Sequence, residues 1–157
     1  MEKKRILLVD DDTSILEVFR VIFEDEGYVV DTTETGMEAI RKVEAQFYHL
    51  ALLDIKLPDM EGTELLSRLR RSPASVNMMC IMITGYPSLD NAAESLNIGA
   101  DAYVMKPINP EELLKIVKKK LDEQDEMENV TEQKVAWWIH TRGQPAELEI
   151  NDRRRLG

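Results

Sequence analysis

"LALLDIKLPDMEG", residues 50–62, decides the fold. Its first four residues are apolar without alternation, the pattern of a strand buried on both faces. Asp54 then arrives where that strand should end, and a carboxylate at the rim of an apolar layer carries a desolvation cost. Taken alone, Asp54 reads equally well as the residue that starts the turn "LPDMEG" or as a reactive group. Its surroundings have to decide.

Four further apolar runs lie at 6–9, 28–30, 78–83 and 102–105, and most of the five are continuous rather than alternating. The segments between them have helical spacing. Ile15, Phe19, Ile22 and Phe23 form an i, i+4, i+7, i+8 stripe, with Asp12 or Thr13 available as N-cap and Gly27 just past the end. Ala39, Ile40 and Val43 follow Gly36, and Leu65, Leu66 and Leu69 serve a third helix that should stop before Pro73. A fourth helix, 88–98, is expected to bury only Leu89, Ala92, Ala93 and Leu96, so it should pack lightly and be able to move. The fifth opens at Pro110 beside Glu111 and Glu112 and buries Leu113, Ile116, Val117 and Leu121. Strand and helix alternate five times over residues 5–121, which predicts an α/β fold: a parallel sheet covered on both faces by right-handed crossovers.

Residues 122–157 form a C-terminal extension, too short for a second ordinary core. It begins acidic and holds both tryptophans, Trp137 and Trp138. The fifth helix can continue through Gln124, Met127 and Val130. "KVAWWIHTRGQPAELEI" suits either a helix ending near Gly143 or two strands around "RGQP". Exposed paired tryptophans are unfavourable, so they should dock on the rest of the chain, on a partner or on a second copy.

The 157-residue chain has a formal net charge of −10, which disfavours direct contact with nucleic acid or an anionic membrane. The basic clusters Lys118-Lys119-Lys120 and Arg153-Arg154-Arg155 are short and read as solvated surface. Cys80, the single cysteine, sits in an apolar run and reads as a buried, inert thiol. No stretch approaches the ~18 apolar residues of a membrane span, and the N-terminal apolar run is too short for a signal peptide, so a cytoplasmic location is expected. His49 and His140 lack ligand-like neighbours.

In a doubly wound sheet, ligands bind outside the carboxyl ends of the strands. After the first run come Asp10, Asp11 and Asp12; after the third, Asp54; after the fourth, Thr84 and Gly85; after the fifth, Lys106 and Pro107. Clustered carboxylates either raise a pKa or recruit a cation, and an open all-oxygen set suits Mg²⁺, with Mn²⁺ as the alternative. A lysine and a hydroxyl complement a phosphoryl group beside such an ion, and a carboxylate can accept that group as an acyl phosphate. Asp54 is the best placed nucleophile, opposite Asp10 and Asp11 as metal binders. Singly, Asp12 is more simply a helix cap, Thr84 a turn residue and Lys106 a solvated lysine. Their joint placement argues for function.

"RILLVDDD" (5–12), "LALLDIKLPDMEG" (50–62), "MITGY" (82–86) and "GADAYVMKP" (99–107) resemble the successive signatures of response-regulator receiver domains, the CheY-like switches of two-component signalling. The resemblance covers residues 4–121. It implies a flavodoxin-like (βα)₅ fold with strand order 2-1-3-4-5, a receiver domain at 1–121 and an extension at 122–157. By the same resemblance Asp54 is the phosphoacceptor, and Asp10, Asp11, Asp54 and the backbone carbonyl of Lys56 hold Mg²⁺. Thr84 and Lys106 bind phosphate, Thr84 and Tyr103 are the switch pair, and the Lys106–Pro107 bond is cis. Lys56 and Tyr86 occupy the positions that tune dephosphorylation, and their bulk predicts a longer-lived signal.

The implied function is that of a switch rather than a classical enzyme, catalysing only its own phosphoryl transfer and autodephosphorylation. It takes its phosphoryl group from a histidine kinase or histidine phosphotransfer protein. The surface of the fourth helix, fifth strand and fifth helix then controls a downstream protein, with a homodimer as one form of output. The alternative is the receiver fragment of a longer DNA-binding response regulator. A haloacid-dehalogenase-like phosphatase would need an Asp where Lys56 stands, and a flavodoxin would need a Ser/Thr/Gly-rich phosphate loop after the first strand.

Overall fold

The computed structural model describes residues 2–85 and 87–140. Five strands, β1 (Arg5–Val9), β2 (Val29–Thr33), β3 (Leu50–Asp54), β4 (Met79–Thr84) and β5 (Ala102–Met105), alternate with α1 (Thr13–Asp25), α2 (Gly36–Ala45), α3 (Gly62–Arg71), α4 (Leu89–Ile98) and α5 (Pro110–His140). All strand pairs are parallel, in the order β2-β1-β3-β4-β5. This is the flavodoxin-like arrangement expected from the sequence. Among the described residues no helix is long and apolar enough to cross a membrane.

Alternate side chains of the continuous apolar strands serve opposite faces of the sheet. Leu7, Val9, Ala51, Leu53, Cys80 and Met82 form one core layer with Ala39 and Val43 of α2 and Leu65, Leu66 and Leu69 of α3. Ile6, Leu8, Leu50, Leu52, Ile81 and Ile83 form the other, with Leu16, Phe19 and Phe23 of α1 and Leu113, Val117 and Leu121 of α5. Cys80 is buried within the first layer and free, and burial pushes its thiol up to about 12.

Helix ends follow local chemistry. The Asp12 side chain caps α1, accepting from the backbone N–H groups of Ser14 and Ile15, which settles the choice between Asp12 and Thr13. Thr35 and Ser88 cap α2 and α4 in the same way. Gly99 ends α4 at φ +116°, a left-handed conformation that favours glycine.

Four expectations are revised. β2 runs 29–33 rather than 28–30, because an edge strand buried mainly at Thr33 needs no continuous apolar run; pairing with β1 extends it through Asp31 and Thr32. β4 starts one residue later than expected and includes Thr84. α4 turns a different face inward: Ser95 is its buried residue, while Leu89 and Leu96 point to solvent, 85% and 61% exposed. Small side chains allow the close approach to the rest of the fold, and the larger leucines are left outside. Finally, Trp137 and Trp138 lie on α5, which continues to His140, so a two-strand hairpin starting at Lys134 is excluded; "RGQP" itself lies outside the described residues. The chain divides into two units at Leu121–Asp122.

Candidate functional site

Each strand of the central sheet stops at the same edge, so the residues that follow β1, β3, β4 and β5 converge. Asp10 follows β1 and is buried; Asp54 is the last residue of β3 and Thr84 the last of β4, both buried; Lys106 follows β5. Lys106 Nζ donates to Asp10 Oδ2 at 2.9 Å and to Asp54 Oδ2 at 3.3 Å. Carboxylate oxygens of Asp10, Asp11 and Asp54 all lie within 4.8 Å of one another, with Asp11 exposed at the mouth. The backbone N–H of Asp12 donates to Asp10 Oδ1 at 2.9 Å, turning that carboxylate toward Lys106.

Electrostatics follow from this crowding. Burial, and after it the negative charge of Asp10, push the Asp54 carboxyl up to about 6. Lys106 pulls the other way without cancelling the rise. Burial works against the Lys106 ammonium as well, yet its hydrogen bonds and attraction to Asp10 and Asp54 hold it above the ordinary lysine value. Three acids facing one ammonium leave an excess of negative charge, and the donors are hard oxygens with one open side. That combination suits a small divalent ion such as Mg²⁺.

The loop after Asp54 is tightly braced. A Cβ on Gly62 would stand 2.1 Å from the backbone oxygen of Asp54, and Gly62 N–H donates to Ile55 O at 2.6 Å. Only glycine permits that approach. Lys56 N–H reaches Asp54 Oδ1 at 3.4 Å, while the Lys56 ammonium is held by Glu61 at 3.1 Å. Asp59 accepts from Gly36 N–H at 2.9 Å and Met37 N–H at 3.0 Å, clamping this loop to the start of α2; those bonds hold its carboxyl below the usual range. The clamp joins residues 23 positions apart and is invisible to local patterning, so sequence reasoning missed it. Arg70 was missed for the same reason. In the last turn of α3 it resembles ordinary dipole compensation, yet it donates to Gly99 O at 2.9 Å and pairs with Asp101 at 2.8 Å, and Asp101 in turn accepts from Cys80 N–H.

Tyr103 packs its ring against the first core layer, and among the described residues its shielded hydroxyl has no hydrogen-bond partner. The Lys106–Pro107 peptide bond is cis. Tyr86, expected beside the site, lies outside the described residues. Asp10, Asp11, Asp54 and Lys106 are thus gathered in one pocket, with Thr84 ending the adjacent strand.

Comparison with known proteins points in one direction. The family model "Response regulator receiver domain" matches residues 6–118. A CheY-like receiver domain protein from Methanospirillum hungatei, solved by crystallography, is 54% identical with a TM-score of 0.78, covering 80% of this chain and 99% of that one. A response regulator from Burkholderia pseudomallei, solved with a phosphorylated aspartic acid, a calcium ion and citrate, is 25% identical with a TM-score of 0.69, covering 82% of this chain and 75% of that one. The alginate biosynthesis transcriptional regulatory protein AlgB of Pseudomonas putida is 34% identical over 75% of this chain, and the match spans only 26% of that regulator.

Proposed function

The chain belongs to the response regulator receiver domain family, and from that premise we propose that Asp54 accepts a phosphoryl group and thereby controls a partner protein. The observation that carries this reading is the cluster itself: three carboxylates within 4.8 Å of one another and a lysine bonded to two of them. A structural role explains it poorly, because a buried carboxylate that is pushed up to about 6 is held where its own charge is unfavourable.

Asp10, Asp11, Asp54 and the Lys56 carbonyl would hold Mg²⁺ or Mn²⁺. The ion would supply positive charge against the phosphoryl oxygens. The donor is a phosphohistidine on a histidine kinase or phosphotransfer protein. An Asp54 oxygen attacks phosphorus, the P–O bond forms as the P–N bond breaks, and the electron pair leaves with the histidine imidazole. Lys106 shifts from pairing with Asp10 and Asp54 to neutralising a phosphoryl oxygen. The Thr84 hydroxyl donates to another of those oxygens, and Tyr103 moves into the space it vacates. The surface formed by α4, β5 and α5 then presents its second conformation, stabilised only by the difference in contacts between the two states. Water finally cleaves the acyl phosphate, at a rate set by Lys56 and Tyr86.

Residues 1–121 act as the receiver and 122–157 as its extension, in the cytoplasm, where the kinases of such systems present their phosphohistidine. A second reading has support of its own: since the AlgB match spans a quarter of that regulator, the chain also suits the receiver portion of a longer DNA-binding regulator. Incubation with acetyl phosphate and Mg²⁺, followed by intact mass, tests the site. One phosphoryl adduct on the wild type and none on Asp54→Asn is expected. An adduct on both proteins, or on neither, contradicts the assignment.

A further inference from the structure

Lys56 and Glu61 face each other across the turn that follows Asp54. Their backbones form an isolated antiparallel bridge, and Leu57 N–H donates to Met60 O at 3.3 Å to close the turn between them. Residues directly opposite in such a bridge carry their side chains on the same side. The Lys56 ammonium accordingly donates to Glu61 Oε1 at 3.1 Å, with both side chains more than half exposed.

Helix capping does not account for an acid at position 61. Side chains cap α1, α2, α4 and α5, the last through Asn109, which accepts from the N–H groups of Glu111 and Glu112. Glu61 is the N-cap residue of α3, yet its carboxylate accepts nothing from the first turn and goes to Lys56 instead. Stability does not account for the pair either, since an ion pair in water is weak. What distinguishes it is its place. Lys56 N–H reaches Asp54 Oδ1 at 3.4 Å, so the lysine stem starts beside the proposed phosphoacceptor, and Glu61 draws the ammonium toward the start of α3.

We propose that Glu61 is a positioning residue that shortens the life of phosphorylated Asp54 by competing with the phosphoryl group for the Lys56 ammonium. The inference rests on the reading of Asp54 as the phosphoacceptor. In hydrolysis a water oxygen bonds to phosphorus as the bond to the Asp54 oxygen breaks. The electron pair stays on the carboxylate, and the water's proton passes to bulk water, leaving inorganic phosphate. A lysine freed from Glu61 pairs with a phosphoryl oxygen and lays its flexible four-carbon stem across the path of the attacking water. Glu61 withdraws that cover for part of the time, and hydrolysis is faster with it than without it.

The test is the loss of label from the full chain after phosphorylation with radiolabelled acetyl phosphate and Mg²⁺ and removal of the donor. Wild type, Glu61→Gln, Lys56→Met and the variant carrying both substitutions are compared. Glu61→Gln should lengthen the half-life about two- to fivefold, the span that a weak ion pair allows. On the Lys56→Met background the same Glu61→Gln change should have no effect. A merely loosened α3 would alter both backgrounds alike, so the cycle separates positioning from structure. Both side chains are exposed, and melting temperatures will show that the fold survives. An unchanged or shorter half-life in Glu61→Gln, or an equal change with and without Lys56, would overturn the proposal while leaving Asp54 as the acceptor. No label on any of these proteins would overturn that reading, and this inference with it.

Discussion

Helices α3 and α4 are both ten residues long and pack against each other, yet they are held in opposite ways. α3 buries Gly62, Thr63, Leu65, Leu66 and Leu69, and its first residue stands against the backbone of Asp54. α4 buries Ser95, turns two leucines to solvent, and is tied at its far end by Arg70 to Gly99 and Asp101. Among the described residues the shielded Ser95 hydroxyl has no hydrogen-bond partner, a further cost to this placement of the helix. One helix is anchored against Asp54; the other follows the strand that ends in Thr84 and buries little. A switch needs that asymmetry, because a phosphoryl group can only move an element whose two positions differ little in free energy.

The largest expected effect tests the rigid side. Leu66→Ala should cost about 2–5 kcal/mol, since it opens a cavity in a fully buried layer. Leu96→Ala on α4 should change stability by less than about 0.5 kcal/mol. Urea unfolding of the two variants measures both, and equal losses would break the comparison.

Next is the charge at the site. Asp54 titrates near 6 when folded and near 3.8 when unfolded, so between those values the folded protein binds the extra proton and stability falls as pH rises. Asp54→Asn should therefore stabilise the metal-free protein by about 1–2 kcal/mol at pH 7, with the gain fading below pH 4. Melting temperatures across pH in EDTA report this, and a gain that grows toward acid would refute the sign. Smaller again is the loop clamp. Asp59→Ala removes both bonds to the start of α2 and should cost about 1 kcal/mol, measurable by urea unfolding, with Asp59→Asn retaining part of it. Cys80 should be the quietest test: its thiol, pushed up to about 12, should react with a disulfide reagent only on unfolding.

The same contrast explains what was readable in the sequence. Continuous apolar runs and helical stripes identify the alternating strands and helices, the strand order being implied by the family resemblance. A parallel sheet brings the residues after its strands to one edge, so Asp10, Asp54, Thr84 and Lys106 could be named from their positions. α3 was legible because burial decides it. α4 was not: its spacing suggested that Leu89 and Leu96 face inward, but a helix with little to bury is oriented by its caps and small side chains. Contacts between distant residues, such as Asp59 with Gly36 or Arg70 with Gly99, leave no local trace. The helical extension was ambiguous because its apolar spacing suits a helix as well as a hairpin.

Hydrogen exchange resolved along the chain, before and after acetyl phosphate and Mg²⁺, reads the contrast between α3 and α4 at each helix. Backbone exchange is expected to change across α4 and β5 while α3 stays as it was, with no change in Asp54→Asn. Altered exchange in α3 with α4 untouched, or the same response in Asp54→Asn, would contradict it.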